Sequence, residues 1–360
     1  MAKTYMFIPG PVMVKDNVRQ ALLHYDICHR SPEFEEMFAD TQEKIKSLFK
    51  ADDSYYSIIV SGSGTSANET ALSSLFKEGE EIMLIRNGVF GERLLEIIDK
   101  YKIPLVDVPF EWAEYPDVDK IEKVLAANPK VKVVAMVYHE TSTGMVNPVK
   151  EVGALCEKYN KWFYVDSVSA AGGEFVNVVD NKITITSSVG GKCVGAFPGS
   201  AYICAKREVF EQVTPEMGKN VYLNLGKHYA SAKKSHQTPN TPNVTLFWAL
   251  NQALTNITDE TLEKRVARYQ ACAKKLRDGM KALGLKFLLE DHMSNTVTSV
   301  FLPQGTDLGK FIGDMEKHGY TVYKGKGKYE AMGMFQVANM GEIYEPDCDK
   351  FLKALAECIK

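Results

Sequence analysis

Short β-branched runs alternate with amphipathic stretches from about residue 56 to residue 245, and this alternation narrows the fold more than any other feature of the chain. Buried strands need short apolar runs and crossover helices need a 3.6-residue apolar period, so their regular alternation is the mark of βα units around a mostly parallel sheet. Seven strands are expected, at 56–62, 81–87, 104–110, 132–139, 162–167, 182–188 and 200–205. The helices expected among them lie at 32–50, 66–76, 91–101, 117–127 and 149–159. In the first, Phe34, Met37, Phe38, Ile45 and Leu48 fall on one stripe. After the Pro-rich stretch HQTPNTPNV (236–244) the pattern changes to a long helical segment near 244–284, a strand SNTVTSVFLP, a helix near 307–318, YTVY, MFQVANMG and a closing helix to Lys360. The expectation is an α/β fold, with a mostly parallel seven-stranded sheet in a large domain (15–245). A smaller α+β C-terminal domain (246–360) follows, and the N-terminal segment 1–14 packs against it.

At 360 residues, 45% apolar and 25% charged, the chain can bury the core that such a sheet requires. A formal charge of −3 and the lack of a basic run with interleaved aromatics argue against nucleic acid as a partner. No run reaches the roughly 18 apolar residues of a membrane span, and the N-terminus MAKTYMFIPGPVMV reaches Pro-Gly-Pro too early for a signal peptide. The seven cysteines are odd in number and scattered, without CxxC or ligand spacing, so no disulfide framework or metal site is expected. A cytoplasmic location fits this usage.

Four stretches carry chemistry. VSGSGTSANETAL (60–72) is a strand entering a Gly/Ser/Thr turn and then a helix, which suits an anion held by backbone amides; a plain turn with Ser66 as N-cap explains it about as well. Gly62, Gly64 and Ala67 also match a dinucleotide fingerprint, but the next strand ends Arg86-Asn87-Gly88, without the acidic residue that would hold a ribose. In KWFYVDSVSAAGG (161–173) Asp166 closes a strand, where a carboxylate can pair with a pyridinium nitrogen or cap a helix. In SSVGGKCVGAFPG (187–199) Lys192 follows a strand and two glycines, as a Schiff-base lysine would. YHETSTGMVNP (138–148) places hydroxyls at a fourth strand end. A phosphate cradle, a ring-nitrogen acid, a hydroxyl and a lysine together match pyridoxal 5′-phosphate.

These stretches, with FIPGPVMV (7–14), DICHRSPEFEEMF (26–38) and NGVFGERL (87–94), resemble the class V aminotransferases of fold type I, in order and spacing over nearly the whole chain. Among them the alanine–glyoxylate and 2-aminoethylphosphonate–pyruvate aminotransferases are most similar. The resemblance implies that Lys192 carries the cofactor and shuttles the proton, and that Asp166 pairs with the ring nitrogen. It further implies that Thr141 bonds the phenolic oxygen, that Phe90 stacks on the ring, and that Gly64, Thr65 and Ser66 hold the phosphate. It implies a homodimer in which the neighbouring subunit completes the phosphate site through Thr241, with Thr238 or Gln237 nearby.

One departure bears on substrate. Where the family usually reads FRIGN-GE, with an arginine for the substrate carboxylate, this chain reads MFQVANMGEI (334–343), which sets Gln336 at that position. A neutral amide lacks the charged fork, whose hydrogen bonds are typically worth about 1.5–3 kcal/mol each. Either another cation serves (Lys324, Lys326, Lys328 or Arg30) or the substrate has no carboxylate there. The expected reaction moves an amino group from a small amine or amino acid, 2-aminoethylphosphonate-like or alanine/serine-like, to pyruvate or glyoxylate. A lyase on the same cofactor is the nearest alternative, with a nicotinamide dehydrogenase or a non-catalytic cofactor-binding protein behind it.

Overall fold

Seven apolar runs become seven strands of one sheet: β1 (Tyr55–Gly62), β2 (Glu81–Arg86), β3 (Leu105–Pro109), β4 (Val131–Val137), β5 (Trp162–Asp166), β6 (Ile185–Val189) and β7 (Gly199–Lys206). The structure is a computed structural model describing residues 4–359; the first three residues of the 1–14 segment and Lys360, to which the closing helix was expected to run, lie outside the described residues. The sheet order is β1-β7-β6-β5-β4-β2-β3. Strand β7 is antiparallel to both neighbours and the remaining pairs are parallel. The C-terminal ends of β1, β2, β4, β5 and β6 therefore share one edge with the start of β7. There Gly62 faces Gly199, and Asp166 sits in register between Val137 and Ser187. In such sheets the ligand crevice opens at this edge.

Central strands are covered on both faces. Val133, Val134, Ala135 and Met136 of β4, with Phe163, Tyr164 and Val165 of β5, are fully buried, which is why they read as continuous apolar runs. The helix Pro32–Leu48 starts where Ser31 accepts a hydrogen bond from the Phe34 amide with proline in the first turn, and its stripe of Phe34, Met37, Phe38, Ile45 and Leu48 is buried. Each such side chain contributes about 1.5–3 kcal/mol by leaving water. Two further helices, Arg207–Gln212 and Leu225–Ser235, were not anticipated from the sequence.

The long segment expected at 244–284 is two helices, Val244–Glu260 and Leu262–Ala282. The chain turns at Thr261, φ +68°, whose side chain accepts from the Lys264 amide and so caps the second helix. Beyond it, β8 (Lys286–Phe287), β9 (Val297–Phe301), β10 (Tyr323–Lys324) and β11 (Met334–Ala338) form an antiparallel sheet in the order β8-β9-β11-β10. Two main apolar cores result. The larger runs from Val14 to Val266 and takes in Phe247, Leu250 and Leu254, so it extends past residue 245, where the domain boundary was expected. The smaller joins Cys272, Leu276, Phe335 and Phe351 to Phe7 and Met13 of the opening segment. Tyr5–Met6 pairs with Tyr320–Thr321, and Phe7 stacks on Phe351 at 4.2 Å. Among the described residues no helix is long and apolar enough to cross a membrane.

Candidate active site

At the C-terminal edge of the large sheet lies a cavity of about 260 Å³ lined by Gly10, Pro11, Ser63, Gly64, Thr65, Asn68, Phe90, Arg93, Asp166, Val168 and Lys192, among others. Each comes from a strand end, the turn after it or the first turns of the helix that follows, apart from Gly10 and Pro11, which the opening segment brings across from the smaller core. The helix after β1 spans Gly64–Leu72, two residues earlier than expected, and its N-cap is Ser63 rather than Ser66. No side chain caps this helix; the Ser66 and Ala67 amides donate to the Ser63 carbonyl, so the Gly64 and Thr65 N–H groups are left to a ligand, and the dipole there favours an anion. Ser66 instead donates to the Ser63 carbonyl at 2.6 Å. Glycine is required at 64, where a Cβ would lie 2.6 Å from the Val168 side chain.

Asp166 is buried and held from two sides: Asn68 Nδ2 donates to Oδ2 at 2.6 Å and the Val168 amide donates to Oδ1 at 2.9 Å. Asn68 Oδ1 in turn accepts from Tyr164 at 3.0 Å and from Ser187 at 2.6 Å. Burial pushes the carboxyl above its usual range, and the Val168 amide, Asn68 and Lys192 oppose that shift. Sequence reading missed Asn68; the available signal was its spacing, four residues after Gly64, which puts both on the helix face toward β5. Replacing Asn68 with alanine leaves Asp166 Oδ2 without its donor, and because Tyr164 and Ser187 also hydrogen-bond each other at 2.8 Å, one of those two hydroxyls without an acceptor. We expect a loss of about 1–3 kcal/mol of stability, read as a lower midpoint in urea unfolding, and a further rise in the Asp166 pKa.

Lys192 follows β6 by three residues, and its amine donates to the Pro9 carbonyl. Gly10, at φ +120°, passes so close that a Cβ would lie 2.8 Å from the Lys192 side chain, so the Pro-Gly-Pro opening forms a lid that only glycine permits. Burial lowers the Lys192 pKa to about 8, assisted by Lys326 and Arg93 and opposed by Cys193 and Asp166. The neutral, nucleophilic amine is therefore accessible close to neutral pH. Capture of pyridoxal 5′-phosphate by apoprotein, followed by absorbance, should speed up through pH 8 and level off above it; a rate still climbing past pH 10 would mean an unperturbed amine.

Phe90 opens the helix Val89–Lys100 and lines the cavity. Its placement depends on Glu140, which is fully buried and accepts from the amides of Phe90 and Gly91 at 3.1 and 3.2 Å. Ser142 also donates to Glu140 at 2.5 Å, and accepts from the Val89 amide. Burial raises the Glu140 pKa against these hydrogen bonds. A Cβ at Gly88 would lie 2.4 Å from Glu140, so the NG dipeptide is needed to let this carboxylate reach the helix end. Glu140 was also missed from sequence, where it is one acid in a polar turn. Thr141 is buried beside it, and its hydroxyl has no protein partner among the described residues.

The remaining expected residues lie elsewhere. Thr238 is buried and donates to the Asn240 carbonyl, while Thr241 lines a separate cavity of about 590 Å³ with Ser61, Tyr25, Tyr222 and Trp248. Arg30 donates to Gln237 at 2.6 Å and to the Thr238 carbonyl at 2.8 Å, clamping that loop. Gln336, in β11, is buried behind the cavity. Its Nε2 donates to the Thr141 carbonyl at 2.7 Å, the Ser142 carbonyl at 3.3 Å and Ser299 Oγ at 3.0 Å, and so fixes the loop that carries Thr141.

An uncapped helix N-terminus, a buried carboxylate, a depressed lysine and an aromatic wall around one cavity fit the phosphate, ring nitrogen, aldehyde and ring face of pyridoxal 5′-phosphate. The fold and this donor set define a fold type I enzyme dependent on that cofactor. Residues 13–319 match the family described as Aminotransferase class-V, and the chain belongs to that family of pyridoxal phosphate-dependent aminotransferases. It is 35% identical, over 94% of its length and 88% of the relative's, to an uncharacterized aminotransferase of Methanocaldococcus jannaschii. It is 30% identical to a 2-aminoethylphosphonate–pyruvate transaminase of Vibrio cholerae, over 100% of this chain and 99% of that protein. Among solved structures, the ureidoglycine–glyoxylate aminotransferase of Bacillus subtilis superposes with TM-score 0.91 at 25% identity, covering 99% of this chain and 93% of the other. The alanine–glyoxylate aminotransferase of Nostoc sp. superposes with TM-score 0.90 at 24% identity, over 100% and 96%.

Proposed function

We propose that this aminotransferase moves an amino group from a small amine or amino acid, of the 2-aminoethylphosphonate or alanine/serine kind, to pyruvate or glyoxylate. The observation that carries the reading is the placing of Lys192 and Asp166 in one cavity above an uncapped helix N-terminus. Bound there, the cofactor supplies an electron sink for charge developing at the carbon that bears the amine.

The protein's share is positioning and proton transfer. Lys192 Nζ, with a pKa near 8, can give up its proton and accept one again near neutral pH, as a general base and acid must. Asp166, locked by Asn68 and the Val168 amide, holds a fixed negative charge at the sheet edge for the ring nitrogen. The Gly64, Thr65 and Ser66 turn receives the phosphate, Phe90 covers a ring face, and the unpartnered Thr141 hydroxyl serves the phenolic oxygen. Pro9–Pro11 close over Lys192 and limit water.

A homodimer is part of this reading. Leu23, Tyr25, Val221 and Tyr222 are 84%, 67%, 75% and 44% exposed; Tyr25 and Tyr222 line the cavity that holds Thr241, and the other two are their chain neighbours. A second copy over this apolar rim would bury it and bring Thr241, with Thr238 behind it, toward a phosphate site. A cytoplasmic location accords with the unpaired cysteines. The test is a panel of amines, phosphonates and amino acids mixed singly with holoenzyme. An aminotransferase completes a half-reaction, leaving aminated cofactor and one equivalent of the carbonyl product; the lyase alternative would release product repeatedly without aminating the cofactor.

A further inference from the structure

With the Gln336 amide committed to Thr141, Ser142 and Ser299, an anionic substrate needs another cation. Of the four that the sequence offered, three are engaged. Lys324 pairs with Glu330 at 2.5 Å, Lys328 with Glu111 at 3.4 Å, and Arg30 holds Gln237 and the Thr238 carbonyl. The Lys326 side chain has no hydrogen bond or ion pair among the described residues, and its Nζ lies 5.1 Å from the centroid of Phe90. A second cation, which the sequence did not suggest, shares that position. Arg93 lines the cavity, its guanidinium carbon is 5.3 Å from the same ring, and it too lacks any hydrogen bond or ion pair among the described residues.

Both charges are fixed from behind. Arg93 is one turn along the helix that Glu140 anchors. Lys326 belongs to the smaller core's side of the molecule, yet its loop is docked on the larger one. Tyr329 donates to the Trp112 carbonyl at 2.9 Å, and Gly327, φ +53°, lies so close that a Cβ would be 3.0 Å from the Trp112 ring. Two half-buried cations converging on one aromatic wall repel each other and Lys192, and among the described residues no carboxylate pairs directly with either; Glu140 and Asp166 act on them only at longer range. An anion arriving with the substrate would pair with them.

We propose that Arg93 and Lys326 form the binding pair for the anionic group of the substrate, carboxylate or phosphonate, across the cleft between the two cores. This rests on the aminotransferase reading and specifies it: the amine donor carries an anion, and discrimination between donors resides at Arg93 and Lys326 rather than at position 336.

The test is calorimetric titration of holoenzyme with 2-aminoethylphosphonate, L-alanine and n-propylamine, which has the amine without the anion. Arg93→Met and Lys326→Met should each weaken the better-bound anionic amine roughly tenfold or more, raise its KM in proportion with a smaller change in kcat, and leave propylamine binding unchanged. Arg93→Lys and Lys326→Arg should recover most of the affinity, which a merely structural role would not require. The larger loss falls on the phosphonate or on the carboxylate, and so names the source of the anion. Wild-type affinity in both methionine variants, equal loss for propylamine, or a wild-type protein that binds propylamine as tightly as the anions would overturn the proposal. Failure of the underlying reading looks different: amines bind with this pattern, yet no amino group reaches pyruvate or glyoxylate.

Discussion

Lys192→Ala removes turnover, by roughly 10⁴-fold or more, while the protein remains folded. On the roles proposed for it, two functions leave with one side chain: the amine that carries the cofactor and the base that moves the proton, and the second alone is typically worth about 10²–10⁴. Stability moves the other way. Because burial lowers the Lys192 pKa to about 8, the unfolded chain binds more protons than the folded one between pH 8 and the usual lysine value near 10.5. In apoprotein the lysine therefore contributes a stability that increases with pH through that window, and at pH 7 the buried ammonium is a net cost. The alanine variant should be at least as stable as the parent at pH 7 and should lose the upward slope above pH 8. Urea unfolding at pH 7 and pH 10 checks both signs, and multiple turnovers by the variant would remove Lys192 from the chemistry.

Asp166→Asn should lower kcat by about 10²–10³-fold, the usual effect of removing one fixed charge-stabilising group from a water-poor site. The amide is nearly isosteric, so the cavity keeps its shape, but the negative charge opposite the ring nitrogen is gone. Its nitrogen must face either Asn68 Nδ2 or the Val168 amide, both of them donors, unless the Asn68 amide turns over and breaks the chain to Tyr164 and Ser187. A moderate loss of stability should accompany the loss of rate. Steady-state kinetics with saturating cofactor separate the rate effect from weaker cofactor binding. An unchanged kcat would mean that Asp166 only caps the turn to Val168.

Much of this site was legible because parallel strands place their C-terminal ends together, so Gly64, Asp166 and Lys192 at three strand ends had to meet once the strands were recognised. The strands were recognisable because burial on both faces leaves uninterrupted apolar runs. The break at Thr261 was not legible: no Gly or Pro marks it, and a threonine at φ +68° is chosen by tertiary packing and its own cap. Asn68 and Glu140 escaped for another reason. Each acts on a partner far away in sequence, Asp166 at 98 residues and Phe90 at 50, and a lone polar residue carries no periodic signature. Gln336 was placed correctly in its strand, but the sequence could not say that its amide turns toward the Thr141 loop. Arg93 stayed hidden as one charge on an amphipathic helix until Phe90 and Lys326 surrounded it.

The most direct measurement is borohydride reduction of protein loaded with pyridoxal 5′-phosphate, followed by proteolysis and mass mapping of the modified peptide. The account predicts one phosphopyridoxyl group per chain on the amine of Lys192, and none in Lys192→Ala. A stable label on any other lysine, or a protein that stays colourless and unlabelled with the cofactor in excess, would contradict it.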